Sequence, residues 1–342
     1  MPEPDPSRKP PRRVWLWTPY ALLVLAVLAW SGWWVFAAHQ IAARMDAAQA
    51  NARKAGFELA WSGRHINGYP FRLDVTLDGA RVAETSGWAL AAETLKGEAF
   101  AYAPDHWVIV ASKGVTLTRP GAGAVAVTGQ ALRASVVAQA NGAPRISIEG
   151  LKLAFTPQPG AKTFAFSSAG NLGLHLRQAP GGAVELFVQV DQGQAAPSGL
   201  LGAVAQGKPV SLAWQATLSK AGEAHGADFP SAVRAWAAAG GALTVERATL
   251  TAGQTVVEAK GGPLSADREG YLSGALDLNL KRAPQLITIL AAQALIDPQA
   301  ADSAARVAQA RQSTANAPMA LTFQAGRTTL GPVAISPAPK LY

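Results

Sequence analysis

The residues able to do chemistry are few and scattered. Five histidines, His39, His65, His106, His175 and His225, include no pair at the helical spacing that would aim two imidazoles at one metal, and no acidic ligand pattern stands beside them. Each reads as a surface or internally satisfied residue. Glu84, Glu93 and Glu98 lie close in sequence, but carboxylates this common carry no specificity for general acid and base work. Gly121-Ala122-Gly123 lacks the third glycine and the following helix of a dinucleotide site, and there is no GxxxxGK[ST] loop. Ser167-Ser168-Ala169-Gly170 lacks the glycine two before the serine that a nucleophile elbow needs. Cysteine is absent, which excludes thiolate metal sites, thiol catalysis and disulfide staples. The expectation is a protein that is not an enzyme and holds no cofactor or metal.

What remains is placement. The run from Val14 to Ala38, VWLWTPYALLVLAVLAWSGWWVFAA, carries no charged side chain, and as a helix its 25 residues reach about 37 Å. That exceeds a hydrocarbon core of about 30 Å, so residues 14–38 read as a transmembrane anchor. Trp15 and Trp17 near one end, and Trp30, Trp33 and Trp34 near the other, suit rings that prefer the headgroup level. Arg8, Lys9, Arg12 and Arg13 crowd the head, whereas Arg44, Arg53 and Lys54 are spread after the run, so the head is expected in the cytoplasm and the body outside. A cleaved signal peptide is the competing reading, with Val35-Phe36-Ala37 as its cleavage context, but the run is longer than an ordinary h-region of about 7–15 residues.

Residues 1–13, with five prolines among charges, read as a disordered cytoplasmic tail. Residues 39–56 are rich in Ala, Gln, Arg and Lys and free of proline, so they read as a helical stem, closed by Gly56 and continuous with the anchor as one rod. Setting aside the head's four basic and two acidic residues leaves 26 Lys and Arg against 20 Asp and Glu, a mild net of +6. No basic cluster with interleaved aromatics lies outside the head, so nucleic acid is not an expected partner.

From Phe57 the apolar period changes to two. Phe71, Leu73, Val75 and Leu77 alternate with Arg72, Asp74, Thr76 and Asp78, the pattern of a strand with one buried and one wet face. FELAWSG before it and Asn67-Gly68 between them predict a hairpin. A two-residue loop there sets Trp61 opposite Asp74, while burying both apolar sets on one face needs Trp61 opposite Val75, so a bulge or a longer loop must absorb the slip.

The same alternation recurs at Leu151–Phe155, Phe164 and Phe166, Leu172–Leu176, Val184–Val190, Leu212–Leu218 and Leu272–Leu280. Turn signals stand between these runs at Arg119-Pro120-Gly121, Asn141-Gly142, Pro159-Gly160, Pro180-Gly181-Gly182 and Gly261-Gly262-Pro263. Short turns between closely spaced strands imply a mainly β body, a large antiparallel sheet laid out as a meander or folded over, with a few short helices. Helices are expected near 229–239 and 285–312, the latter broken at Asp297-Pro298. Residues 192–208 are the best boundary between a first β-rich half, 57–191, and a second, 209–342, although they read equally well as a helix packed on a sheet. So few helices cannot cover the apolar face of so many strands; a second sheet, a fold in the sheet, or a ligand must.

The stretch Gly63 to Asp74, GRHINGYPFRLD, shortly after an N-terminal anchor, resembles the signature of an uncharacterised bacterial family known as domain of unknown function 2125. GWALAAETLKGEAFAYAPDHWVIV at Gly87–Val110 is similar to that family's second block, and FQAGRTTLGPVAISPAPKL at Phe323–Leu341 to its closing one. The most specific residues are Asn67, Gly68, Tyr69, Pro70 and Phe71, and a structural reading accounts for them: Asn and Gly turn the chain, Pro70 starts a strand or lies on an edge, and Phe71 plugs the core. The resemblance implies class and place rather than a reaction. The expectation is an inner-membrane protein of a two-membrane envelope with a periplasmic body that cradles lipid acyl chains. The alternative is a structural or adaptor protein that binds another envelope protein.

Overall fold

The structure, a computed structural model, describes residues 14–139, 142–313 and 318–342; the expected tail 1–13 and Asn141 lie outside them. Helix α1 (Val14–Lys54) is one unbroken rod that joins anchor and stem, and it is long and apolar enough to cross a membrane. Gly56 ends it in a left-handed conformation: the Phe57 amide donates to the Ala52 carbonyl at 2.8 Å and the Gly56 amide to that of Arg53 at 3.2 Å. These two bonds satisfy carbonyls the helix leaves open.

Among the described residues, eighteen strands form one antiparallel sheet. Along its first edge lie β1 (Glu58–Ala60) and β2 (Gly63–Asn67), both paired with β3 (Arg72–Ala83), which pairs with β4 (Ala89–Phe100). The two ends of β4 then take different partners, β5 (Ala103–Val110) and β6 (Val115–Arg119). Beyond these, β7 (Gly123–Thr128) pairs with β6 and β8 (Ala131–Val137) with β5, and both rejoin at β9 (Arg145–Pro157). From there the sheet is a plain meander through β10 (Phe166–Ala179), β11 (Ala183–Ala195), β12 (Val210–Leu218), β13 (Leu243–Ala252), β14 (Thr255–Ala266), β15 (Leu272–Lys281), β16 (Met319–Gln324), β17 (Arg327–Leu330) and β18 (Val333–Pro337). Between β11 and β12, which pair directly, a short helix α2 (Leu200–Ala205) packs Val204 and Ala205 against Val210 and Ala252, so the ladder of hydrogen bonds does not stop at 192–208.

Helix α3 (Phe229–Ala238) has a reciprocal cap, with the Asp228 carboxylate accepting from the Ser231 amide and the Ser231 hydroxyl from the Asp228 amide. The same carboxylate accepts from Thr85, and Glu84 accepts the Phe229 amide, so α3 meets the far turn of the β3–β4 hairpin. Helices α4 (Ala283–Ala292) and α5 (Pro298–Ser313) are separated by residues 293–297, so the first ends earlier than the expected break at Asp297-Pro298, and the two cover β15 to β18 with a core that includes Ile287, Ala304, Ala308 and Met319.

Two expected details are corrected. Gly261-Gly262-Pro263 is no turn but a kink inside β14, where both glycines take positive φ; a Cβ on Gly262 would stand 2.8 Å from the Leu243 carbonyl oxygen of the neighbouring strand. The first hairpin takes neither expected register: Ile66 stands opposite Val75, and Trp61 lies beyond Gly63, the partner of Asp78. The loop is longer and its centre lies further along, at Pro70-Phe71, which moves every partner of β3 five or six residues along β2 and β1.

Candidate functional site

The site begins with the helix. From Trp17 to Ala29 every residue of α1 is exposed; from Trp30 onward Ser31, Trp34, Ala37, Ala38, Ile41, Ala42, Met45, Gln49 and Ala52 are partly covered in a stripe at three- and four-residue spacing. That stripe is the face the sheet sees. The helix rise from Trp34 to Asp46, about 18 Å, matches the strand rise from Arg72 to Leu77, about 17 Å. The stem therefore runs alongside β3, joined to the sheet at both heights. At the lower join the indole N–H groups of Trp30 and Trp34 donate to the carbonyls of Pro70 and Arg72, each at 2.8 Å, and Ser31 shares a 2.9 Å hydrogen bond with the Tyr69 hydroxyl. The Tyr69 ring stands edge-on to Trp34, centroids 5.6 Å apart. At the upper join Arg64 reaches the Asp46 carboxylate at 2.6 Å and the Ala42 carbonyl at 3.1 Å.

The sequence signature is this lower join. Asn67 ends β2 opposite Asp74. Gly68 takes φ +102° and accepts the Arg72 amide; a Cβ there would lie 2.7 Å from the Arg72 carbonyl oxygen, which is why glycine sits at this position. Tyr69 and Pro70 face the helix. Phe71 does not plug the core: it is 65% exposed, because it rides on the apex of the loop, and Leu73, two residues on and 0% exposed, takes the buried position. The next hairpin tip, between β4 and β5, lies beside it; the Ala101 amide donates to the Phe71 carbonyl at 2.8 Å, and Phe100 and Tyr102, also exposed, stack at 5.1 Å.

Between the joins, stem and sheet do not close. Ile41, Arg44, Met45 and Ala48 of α1 and Val75, Leu77, Leu95, Gly97, Trp107 and Ile109 of β3 to β5 leave an open cleft of about 350 Å³ with an almost wholly apolar lining. That is within the size range of small-ligand pockets, about 300–1,000 Å³. Arg44 and Pro104 are its polar and rigid margins.

The opposite face of the same strands is charged. Arg72 bridges Asp74 at 2.9 Å and Glu98 at 3.3 Å, and Lys96 holds Glu98 at 2.8 Å. The hydrogen bond from Lys96 holds the Glu98 carboxyl below its ordinary value, with Arg72 adding to it, and the same bond raises Lys96. Asp74, expected on a wet face, is buried beneath these partners. Glu84 and Glu93 belong elsewhere, to the α3 cap and to Lys113. Among the described residues no group of three or more His, Asp or Glu stands close enough to share a metal. His39 faces the Val35 carbonyl, His65 pairs with Asp78, His106 with Ser135, His175 stacks on Phe187 and His225 lies by Glu223.

Taken together, the fold and cleft define a class: a β-sheet body docked on the continuation of a membrane-length helix, with an apolar space left between the two. Residues 34–339 match the family described as uncharacterised protein conserved in bacteria, domain of unknown function 2125, and the chain belongs to it. No curated protein and no solved structure matches the chain. Two of the blocks that carried the resemblance, Gly63–Asp74 and Gly87–Val110, supply the two loop tips, and the second also supplies Leu95, Gly97, Trp107 and Ile109 of the sheet wall of the cleft. Sequence reasoning missed the cleft itself, since Gly97, Met45 and Trp107 meet only in the folded chain.

Proposed function

We propose that this is a single-pass inner-membrane protein of a two-membrane envelope, head in the cytoplasm and sheet in the periplasm, that takes a lipid acyl chain into the cleft between stem and sheet and catalyses no reaction. One observation carries the reading: the apolar cleft is walled on one side by the same helix that is long and apolar enough to cross a membrane, and its first helix residue, Ile41, stands only about 10 Å beyond Trp34, a short path to apolar surface for a chain that leaves a bilayer along α1. The charge asymmetry of the flanks supports the orientation. The test is native mass spectrometry of the full chain extracted in mild detergent. Co-purified phospholipid or fatty acid is expected on the chain, and its consistent absence across detergents overturns the reading.

A second reading has its own observation. At the other end of β3 and β4, Val82, Trp88, Leu90 and Phe229 are exposed, and Phe57, Trp88, Leu90 and Leu117 line a smaller apolar hollow of about 210 Å³. That patch suits an adaptor that binds another envelope protein. Crosslinking from position 88 in intact cells tests it, and a reproducible single protein adduct there, with no lipid in the cleft, favours the adaptor.

A further inference from the structure

We infer that the two loop tips, Gly68–Phe71 and Ala101–Tyr102, form a foot that sits in the headgroup layer of the bilayer crossed by α1, with Tyr69, Phe71, Phe100 and Tyr102 in contact with phospholipid. The inference rests on α1 crossing the membrane, and it follows from length. The 17 residues from Val14 to Trp30 rise only about 25 Å, short of the roughly 30 Å hydrocarbon core. The span reaches about 31 Å at Trp34, or about 29 Å along the membrane normal at a tilt of about 20°. Yet Trp30 and Trp34 are already bonded to the carbonyls of Pro70 and Arg72. The membrane boundary and the apex of the hairpin therefore fall at one height.

The side chains there fit that place. Tyr102 is 67% exposed, Phe71 nearly as much, and Tyr69 and Phe100 more than half, four large rings at one end of the sheet beside Trp33, itself exposed. Aromatic rings with a polar edge partition to the headgroup level, and Phe71 and Phe100 add apolar area that water disfavours. Depth is bounded as well. Arg72, one residue above the first apex, and exposed Asp105, three above the second, keep the foot out of the hydrocarbon. A foot at this height also fixes the stem upright and sets the open cleft, whose lowest helix residue is Ile41, about 10 Å above Trp34.

The absence of cysteine makes the test direct. Single cysteines replacing Phe71, Tyr102, Leu25 and Val82 in the full chain are spin-labelled and reconstituted in vesicles of phosphatidylethanolamine and phosphatidylglycerol. Collision rates with oxygen and with a water-soluble nickel chelate are then compared. Labels at 71 and 102 are expected to favour oxygen over nickel several-fold relative to the label at 82, which lies at the far end of β3, about 36 Å away. If 71 and 102 read like 82 while 25 reads as hydrocarbon, the foot is refuted and the span stands. If 25 also reads as water, the span has failed and the foot fails with it.

Discussion

Replacing Gly97 with leucine puts a side chain into the space that is proposed to hold a lipid tail. Gly97 lies in β4 on the sheet wall of the cleft, outside the left-handed region, and a Cβ there would stand 3.4 Å from Trp107 Cε3 and 3.9 Å from Ile109 Cγ1, ordinary contact distances. Alanine is therefore accommodated with no shift of neighbours. The further carbons of leucine must occupy cleft volume and displace about three to four methylenes of a bound chain. At about 0.8 kcal/mol per buried methylene that loss is about 2.4–3.2 kcal/mol, or about 100-fold in affinity. The assay is a lipid titration of delipidated full chain read by native mass spectrometry, with far-UV circular dichroism as the control for folding. Gly97→Ala is expected within about threefold of the parent, since the step amounts to less than one methylene; Gly97→Leu is expected about 100-fold weaker. A well-folded Gly97→Leu protein that takes up lipid as the parent does would show that the tail lies elsewhere and remove the basis of the proposed function.

Other consequences concern the body itself. Leu73→Ala, at a fully buried position, is expected to cost about 2–5 kcal/mol in chemical denaturation, and Phe71→Ala less than about 0.5 kcal/mol, the reverse of what the sequence alone suggests; equal losses would contradict the assigned loop apex. Glu98 and Asp228 both have carboxyls held below their ordinary values, the first by Lys96 and Arg72, the second by Ser231. Their stabilisation is present above the unfolded carboxylate value of about 4 and is lost as pH falls through the folded values. Glu98→Gln should accordingly flatten the acid limb of the stability curve, and an unchanged limb would count against the ion-pair assignment. The Lys96 contribution runs the other way, being full below its ordinary value of 10.5 and lost as pH rises through the folded one.

Strands with an apolar and a polar face were legible because those two faces write period two into the chain, as at Val184–Val190 in β11 and Leu272–Leu280 in β15. Strand β4 was not. ALAAETLKGEAF has the composition of a helix, and pairing with β3 along its whole length overrides that propensity. Phe164, expected in a strand with Phe166, lies just before β10 and stacks on Phe155 instead. The glycine pair in β14 looked like a turn because sequence cannot tell a bulge from a reversal. The docking stripe on α1 was hidden for a different reason: the helix is apolar all round where it begins, so the face that meets protein stands out only against the partner it meets. Sequence reading gave the turn to Asn67 and Gly68, a strand start or edge to Pro70 and the core to Phe71, whereas the loop runs from Gly68 to Phe71; its contact with the helix depends on Trp30 and Trp34, about 40 residues away.

The distribution of the core argues that the cleft is more than a packing fault, and a filling substitution can decide it. The four clusters of buried side chains among the described residues draw on β6 and later elements, whereas the corner formed by β1 to β5 buries Leu73, Val75 and then chiefly alanines, Ala83, Ala89, Ala92, Ala99 and Ala101. Its larger apolar groups, Leu77, Leu95, Trp107 and Ile109, face a helix that offers Ile41 at the lower end and, above it, only the adaptable Met45 and Ala48 in return. Interiors are normally filled to crystal-like density, so Ala48→Leu, which adds apolar volume on the stem side, is expected to stabilise the delipidated body by about 0.5–2 kcal/mol. In a simple packing fault the same gain persists when lipid is added. In a binding cleft it shrinks or reverses, because the parent then gains RT ln(1 + [L]/Kd), about 2.7 kcal/mol at a hundredfold excess over Kd, and the filled variant does not. Denaturation midpoints of parent and variant, each with and without phospholipid, give the four numbers required. A stabilisation by Ala48→Leu that is the same in both conditions identifies the space as unfilled core and leaves the lipid without a seat.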